Sequence, residues 1–183
     1  MSTSSSFSKT LMFGAIALTC GALYSAPASA VTRSFYQNSG GTCHGVNAIN
    51  ESKLTREAQR IYNNTNSSVD IVCNLPSDVW ATSSGGGVVT YVAIWARPIT
   101  GYSGVMSCTL NEGFYGQSGS SIYQPVGGNP KNLAANGGAQ TIFEWDPAPG
   151  YLNVGRYFYG PVNIRCTMPP RSELDDWYVE YDH

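Results

Sequence analysis

The sequence contains little charge, little histidine and no long apolar run beyond its first thirty residues. Only 12% of its 183 residues are charged, about half the usual proportion. The two histidines, His44 and His183, leave few candidates for acid and base catalysis. The basic residues are too few and too scattered to form a face for phosphate backbones. These absences argue against nucleic-acid binding and against histidine-dependent catalysis.

Motifs for nucleophilic catalysis and for metal binding are also missing. The turns at 101–104 and 116–119 lack the glycine that a nucleophile elbow carries two places after its serine. No Cys-x-x-Cys pair exists, and the acidic group Glu173, Asp175 and Asp176 lacks the spacing of a calcium loop. We therefore predict no catalytic residues, no metal site, no cofactor and no turnover chemistry.

The N-terminus has the pattern of a secretory signal peptide. Polar residues ending in Lys9 precede an apolar run from Leu11 to Leu23, and small residues follow at the positions that a signal peptidase reads. The run is short for a bilayer. We expect cleavage near Ala30, which makes 1–30 a signal peptide and 31–183 a single domain. The expected location is the periplasm or the outside of the cell.

Cleavage would change both the charge and the cysteine count. Lys9 would be lost, so ten basic residues become nine against twelve acidic ones, a net charge of −3. A lipid anchor at Cys20 is the alternative to cleavage near Ala30, but Thr19 is large for the residue before a lipidated cysteine. Without Cys20, an even number of cysteines enters an oxidising compartment. The four expected to form two disulfides are Cys43, Cys73, Cys108 and Cys166.

Three of these cysteines lie in similar segments that alternate like strands. The segment Val162 to Met168 is repeated in spacing by Val69 to Leu75, and Met106 to Leu110 is a shorter copy. Because alternate residues of a strand share a face, these cysteines are predicted to face the core. A sandwich would give them two facing layers to bridge. Three connectivities are possible, and the matching inward positions favour Cys73–Cys166 with Cys43–Cys108.

The remaining segments indicate short strands separated by turns. Arg60 to Asn63 and Val69 to Leu75, joined by a polar loop, predict a hairpin. Val88 to Arg97 has apolar residues on both faces, which predicts a central strand. Residues 51–59 form the one helix-permissive stretch. The predicted fold is therefore all-β, a single antiparallel β-sandwich of Greek-key or jelly-roll type with two disulfides.

Several of these features together resemble a family of small exported bacterial proteins of unknown function. They are the signal peptide, Cys-x-Leu-Pro at 73–76, Cys-x-Leu at 108–110 and Cys-x-Met-Pro-Pro at 166–170, before an acidic, tyrosine-bearing last strand. Met168 stands where the family usually has leucine, and these two residues exchange in cores at small cost. The resemblance implies a secreted β-sandwich with disulfides, and it supplies no catalytic residues.

Aromatic residues provide the remaining functional hypothesis. If Cys166 faces inward, alternation turns Phe158 inward and Tyr157, Tyr159 and Arg165 outward. Tyrosine joins apolar area to a hydroxyl, which is typical of surfaces that bind flat sugar rings or protein partners. It is also favoured in strands without any function. The candidate binding residues are Tyr157, Tyr159, Arg165 and Trp177, with Trp95 as a further candidate.

Two functions are consistent with the sequence. The first is a non-enzymatic structural or interaction protein of the cell surface or extracellular space, acting through an exposed sheet face or edge. The second is a carbohydrate-binding, lectin-like module that uses exposed strand tyrosines. The expected partner is a surface glycan or an envelope protein, with no nucleic acid and no membrane span in the mature chain.

Overall fold

The computed structural model describes residues 32–76, 88–113, 121–133, 139–147, 158 and 161–182. The chain divides into two compact units, Met1–Ala30 and Val31–His183, and every described residue belongs to the second. The elements of this unit, in chain order, are β1 (Arg33–Asn38), α1 (Ser39–Thr42), β2 (Cys43–Gly45), α2 (Ala48–Glu51), β3 (Leu54–Arg56), β4 (Ile61–Asn63), β5 (Val69–Asn74), β6 (Val88–Pro98), β7 (Val105–Glu112), β8 (Ser121–Tyr123), β9 (Lys131–Asn132), β10 (Thr141–Trp145), β11 (Val162–Met168) and β12 (Ser172–Asp182).

The strands form two six-stranded sheets, and within each sheet the paired strands are antiparallel. Sheet I has the order β10-β6-β12-β4-β3, and β1 also pairs with β12. Sheet II has the order β2-β5-β11-β7-β8, and β9 also pairs with β7. The inward side chains of both sheets belong to one buried cluster. The predicted antiparallel β-sandwich is confirmed.

Side-chain alternation in sheet II agrees with the sequence analysis. The inward residues of β11 are buried, whereas Arg165 is exposed. Cys73, Cys108 and Cys166 are all buried, so the prediction that these cysteines face the core is confirmed. Phe158 is also fully buried, as predicted, and it forms an isolated bridge with Val89. Period-two alternation is therefore sufficient to identify the core side of these strands.

Both disulfides form, but the expected connectivity is wrong. Cys43 is bonded to Cys73 and Cys108 to Cys166, with Cα–Cα distances of 4.0 and 4.1 Å. Each pair lies directly opposite on neighbouring strands of sheet II, so neither bond joins the two layers. Cys73 faces Ile164 across β5 and β11, which places it two positions out of register with Cys166. Packed sheets lie about 10 Å apart, too far for the Cα separation of a disulfide.

The strands at Ile61–Asn63 and Val69–Asn74 do not form the predicted hairpin, because they lie in different sheets. β4 pairs with β3 and β12 in sheet I, whereas β5 pairs with β2 and β11 in sheet II. Asn63 holds the connection between them: its Nδ2 donates to the backbone oxygens of Ser67 at 2.8 Å and Pro169 at 2.9 Å. The polar loop therefore connects a strand of sheet I to a strand of sheet II.

The helix-permissive stretch over residues 51–59 does not form a helix of that length. α2 ends at Glu51, and Leu54–Arg56 is β3, which pairs with β4. Arg56 fixes this corner, because its Nη2 donates to Oε1 of Glu51 at 2.7 Å. A short isolated helix is marginal in water, so pairing with the sheet prevails. In the part of the chain that the structure describes, no helix has the length and apolar character needed to cross a membrane.

β6 lies between β10 and β12, so the prediction that this strand is central is confirmed. Its inward side is buried, with Val92, Ile94 and Ala96 in the core. Its outward side is covered less completely than expected, because Tyr91 and Trp95 are only half-buried. This half-covered side belongs to the surface considered next.

Candidate binding face on sheet I

The outward side of sheet I, called here the sheet I face, combines aromatic rings with ion pairs. Residues directly opposite each other in antiparallel strands share a face, so the strand register defines rows of neighbours across the sheet. The rows are Tyr62 with Glu173 and Arg97; Tyr36 with Tyr178, Ala93 and Glu144; and Ser34 with Glu180 and Tyr91. Aromatic, acidic and basic side chains from five strands therefore meet on one surface.

A β-bulge in β12 adds further carboxylates to this face. Leu174 and Trp177 both face the core although they are three positions apart. Between them, Asp175 and Asp176 stand opposite a single residue of β6, Trp95, where the register shifts. A bulge of two residues against one interrupts the alternation of side chains. It delivers two neighbouring carboxylates to the site beside Trp95.

The bulge also explains why Trp177, one of the candidate binding residues, does not point outward. Strict alternation from an inward Leu174 would turn Trp177 outward. The extra residue returns it to the core, where it is fully buried and its Nε1 donates to Oγ1 of Thr42 at 2.6 Å. A ligand on the surface cannot reach this ring.

Arg165, the other predicted binding residue that the structure describes, does not lie on the sheet I face. Arg165 is exposed on the outward side of sheet II, where its Nη2 lies 3.6 Å from Oδ2 of Asp70. It therefore lies on the opposite side of the sandwich from the sheet I face. Tyr157 and Tyr159 lie outside the described residues. Trp95, the further candidate, does lie on the sheet I face.

Five residues form an ion-pair cluster on the sheet I face. Nε of Arg97 contacts Oε1 of Glu173 and lies 3.4 Å from Oδ2 of Asp175. Arg60 places Nη1 3.5 Å from Oε2 of Glu173 and Nε 3.2 Å from Oε2 of Glu57. The side chains of Glu173 and Asp175 are only 7% and 8% exposed. The guanidinium groups thus compensate carboxylates that water scarcely reaches.

Two depressions meet at Arg60 and Arg97, which line both of them. The first, the Tyr62 depression, has a volume of about 500 Å³. The second, the Tyr36 depression, has a volume of about 300 Å³ and is also lined by Asp176. Since both are lined by the same arginines, they form adjoining parts of one polar groove beside the aromatic rings.

Four aromatic rings of the face are grouped in two pairs. The ring centroids of Tyr36 and Trp95 lie 5.7 Å apart, and those of Tyr91 and Tyr178 lie 5.9 Å apart. Tyr36 is 60% exposed, and the other three rings are half-buried. Ala93, paired with Tyr178, is fully buried beneath the surface. The rings therefore present apolar area to solvent without belonging to the core.

Hydrogen bonds hold two tyrosines of the face against carboxylates. Tyr62 donates from its hydroxyl to Oε2 of Glu57, and Tyr36 donates to Oδ2 of Asp176, each at 2.9 Å. Burial and then these bonds raise the pKa of both tyrosines. The bond from Tyr62 and then that from Arg60 lower the pKa of Glu57. The hydroxyls therefore stay protonated and Glu57 stays ionised at neutral pH.

The second pair of rings is held in the same way. Tyr91 donates to Oε2 of Glu144 at 2.8 Å, and Tyr178 donates to Oε2 of Glu180 at 3.0 Å. Burial is the main cause that raises the pKa of each of these tyrosines, followed for Tyr91 by the bond to Glu144. Each half-exposed ring is thus anchored at its hydroxyl end while part of its area remains free for contact.

The carboxylates that β12 contributes to the ion-pair cluster bind arginine side chains of the protein itself. Glu173 and Asp175, considered above as calcium ligands, are paired with Arg97. Among the described residues, no group of three or more histidine, cysteine, aspartate or glutamate side chains is placed to hold a metal ion. The arrangement instead supplies hydrogen-bond acceptors and donors fixed beside flat apolar rings.

Sequence reasoning missed Tyr36, Arg60 and Arg97 as members of this site. A signal was present in β6, where Tyr91, Trp95 and Arg97 are separated by even numbers of residues and therefore share a face. No comparable local signal identifies Tyr36, because its place beside Tyr178 depends on which strands are neighbours.

Comparison with known proteins gives distant structural similarities. No protein-family model and no curated protein matches the chain. The chain is similar to a solved family 11 carbohydrate-binding module from Clostridium thermocellum in complex with a β-1,3-1,4-mixed-linked tetrasaccharide, with a TM-score of 0.39, 9% identity, and coverage of 81% of this chain and 87% of that chain. It is also similar to TmCBM61 in complex with β-1,4-galactotriose, with a TM-score of 0.30, 14% identity, and coverage of 83% and 87%.

A third similarity is to the Agl-KA catalytic domain, with a TM-score of 0.30, 12% identity, and coverage of 82% of this chain and 26% of that chain. At such TM-scores the similarities carry no argument about function. Any proposal about function therefore rests on the side chains of the sheet I face.

Proposed function

We propose that the protein is a carbohydrate-binding domain and that the sheet I face binds the glycan. One observation carries the proposal: exposed aromatic rings and fixed hydrogen-bonding groups lie side by side on the same extended surface. Tyr36 and Trp95 supply the rings, and Arg60 and Arg97 border the adjoining polar groove. No turnover chemistry is part of this proposal.

The chemistry of a sugar ring suits this arrangement. One side of a pyranose presents C–H groups, and its rim presents hydroxyls that both donate and accept hydrogen bonds. Aromatic rings supply a flat apolar partner for the C–H side. Ionised carboxylates accept from hydroxyls and guanidinium groups donate to them. Tyr36 lies close enough to Asp176 to hydrogen-bond with it, so a sugar at this point would meet both kinds of partner.

Preorganisation further supports the proposal. Tyr62, Tyr36, Tyr91 and Tyr178 are each fixed by a hydrogen bond from the hydroxyl to a carboxylate. Arg97 is fixed between Glu173 and Asp175. Side chains that are already ordered lose less conformational entropy when a ligand binds. This smaller loss of conformational entropy matters most for a ligand that binds weakly, such as a glycan.

The proposal places the protein outside the cytoplasm. Its two disulfides, Cys43–Cys73 and Cys108–Cys166, are typical of proteins that enter an oxidising compartment. We infer export by the N-terminal signal peptide and cleavage near Ala30. The glycan partner would then be a polysaccharide of the cell surface or of the surroundings.

The test is a glycan array followed by calorimetric titration of the best ligand. Wild-type protein is expected to bind at least one glycan class saturably. The double variant Tyr36→Ala/Trp95→Ala should weaken binding at least about tenfold, or about 1.4 kcal/mol, because both exposed rings are lost. Tyr102→Ala is the control, since Tyr102 is 51% exposed, its ring lies against Arg171, and it lines neither depression.

Circular dichroism would verify that the double variant is folded. Silence of the wild-type protein across the array, with capture of an envelope protein instead, would replace glycan binding with the interaction function. Full retention of glycan affinity by the folded double variant would move the binding site away from the sheet I face.

A further inference from the structure

We propose that the sheet I face selects uncharged glycans and discriminates against glycans that carry carboxylate groups. This inference rests on the proposed function, because it names the class of glycan that the same face binds. It follows from the balance of charge around the two depressions.

Acidic groups outnumber basic groups along the groove. Four carboxylates and two guanidinium groups line the two depressions, which leaves a net formal charge of −2. The carboxylates are Glu57, Glu173, Asp175 and Asp176, and the guanidinium groups are Arg60 and Arg97. An anionic sugar would therefore enter a region that already carries an excess of negative charge.

The two positive charges are already engaged by the protein. Arg97 lies between Glu173 and Asp175, and Arg60 lies between Glu57 and Glu173. A ligand carboxylate would have to compete with protein carboxylates that are fixed, and in two cases almost wholly buried. Displacing one of those would leave a buried charge without its partner, which is strongly unfavourable.

An uncharged sugar meets none of these obstacles. Each ionised carboxylate has two oxygens and about four lone-pair sites, so Glu57 and Asp176 can keep their tyrosine bonds and accept from sugar hydroxyls as well. Charge-assisted bonds of this kind are stronger than bonds between neutral groups. The same negative excess that disfavours an acidic glycan thus favours a ligand whose hydroxyls donate.

The rest of the face continues this charge pattern. Glu144 and Glu180 add two carboxylates beside Tyr91 and Tyr178. Lys131, close to this end of the face, donates from Nζ to the backbone oxygen of Ile142 at 2.8 Å. With Lys131 counted, these residues add a net formal charge of −1, so the negative character is not confined to the ion-pair cluster.

Matched pairs of polysaccharides test the inference. Hydroxyethyl cellulose and carboxymethyl cellulose share a backbone, as do fully methyl-esterified and unesterified polygalacturonate, and one member of each pair is uncharged. We expect the uncharged member to bind at least about tenfold more tightly at low salt, because like charges a few ångströms apart repel in a partly desolvated groove. The difference in affinity between the two members of each pair should narrow in about 1 M salt, where the Debye length is about 3 Å.

The variant Glu57→Gln/Asp176→Asn separates charge from shape. It keeps an acceptor for each tyrosine while raising the net formal charge of the groove by two, so the preference for uncharged glycans should shrink. Asp70→Asn, on the outward side of sheet II, is the control and should leave the preference unchanged.

Each outcome decides a different point. Equal or tighter binding of the charged members, or an unchanged preference in the double variant, would overturn the inference while the proposed function stands. Failure of both members of every pair to bind, together with silence on the glycan array, would overturn the proposed function itself.

Discussion

The outward side of sheet I displays large rings, among them Tyr36 and Trp95, whereas the described strands of sheet II display polar side chains together with the aliphatic Val105 and Ile122. On sheet II the polar side chains satisfy one another: Thr167 donates to Asp70 at 2.6 Å, and Asn111 donates to Asn163 at 3.1 Å. Exposed aromatic area has no such internal partner. This contrast is one reason for proposing that the binding face lies on sheet I and not on sheet II.

The two sheets also differ in what stabilises them. Sheet II contains both disulfides, each between directly opposed inward positions of neighbouring strands. The described strands of sheet I contain none, and buried carboxylates paired with Arg97 and Arg60 link β12 to β6 and to the segment before β4. We infer that covalent bonds stabilise one layer while the other keeps its polar groups available for recognition.

The largest expected effect comes from removing one disulfide of sheet II. Cys108→Ala/Cys166→Ala should lower the free energy of unfolding by about 2–5 kcal/mol, because the unfolded chain is no longer constrained. Urea unfolding followed by circular dichroism measures this. Glycan affinity at low temperature should be unchanged. A large loss of affinity in the folded variant would show that the two layers are not functionally separate.

A smaller effect is expected from breaking the ion-pair cluster of sheet I. Arg97→Met removes the guanidinium group that contacts Glu173 and Asp175, and leaving these buried carboxylates poorly compensated should cost about 3 kcal/mol. Arg165→Met is the matched control on sheet II. Nη2 of Arg165 lies 3.6 Å from Oδ2 of Asp70, and the two side chains are 58% and 37% exposed, so that change should cost less than about 1 kcal/mol.

Thermal and urea unfolding of both variants at neutral pH measures this difference. Equal losses in the two variants would mean that the buried cluster contributes no more than a surface ion pair. In that case the comparison between the sheets would rest on their aromatic content alone.

The smallest expected effect is on the stability of the fold at acid pH. The pKa of Glu57 is lowered below its usual value of 4.5 by the bonds from Tyr62 and Arg60. A carboxyl group whose folded-state pKa is depressed stabilises the fold above its unfolded pKa, and this contribution is lost as pH falls through the folded pKa. Glu57→Gln should therefore flatten the loss of stability below about pH 4.5. Thermal melts between pH 3 and pH 7 test this, and an acid limb identical to wild type would contradict it.

Local alternation predicted much of the fold but little of the site. The inward position of Cys166 and the outward position of Arg165 follow from a period of two, which any single strand reveals. Disulfide pairing depends on the register between neighbouring strands of sheet II. The burial of Trp177 depends on the bulge at Asp175 and Asp176, which reverses every later position of β12. Neither strand order nor register is local, so these features could not be derived from one segment at a time.

The site was missed for the same physical reason. Tyr36, Trp95 and Arg97 come from β1 and β6, and β12 brings them together by pairing with both strands. In the sequence, Tyr36 lies in a segment rich in glycine, serine and asparagine that gives no sign of a binding surface. Only the assembled sheet shows that Tyr36 shares one face with Trp95 and Arg97.

The most direct test of the central claim is a map of backbone amide chemical shifts during titration with a glycan that the protein binds. We expect shifts at outward positions of β1, β6 and β12, led by Tyr36, Trp95 and Tyr178, with the outward positions of β5 and β11 unchanged. Shifts centred on Asp70, Arg165 and Thr167 of sheet II, with the sheet I face unmoved, would contradict it.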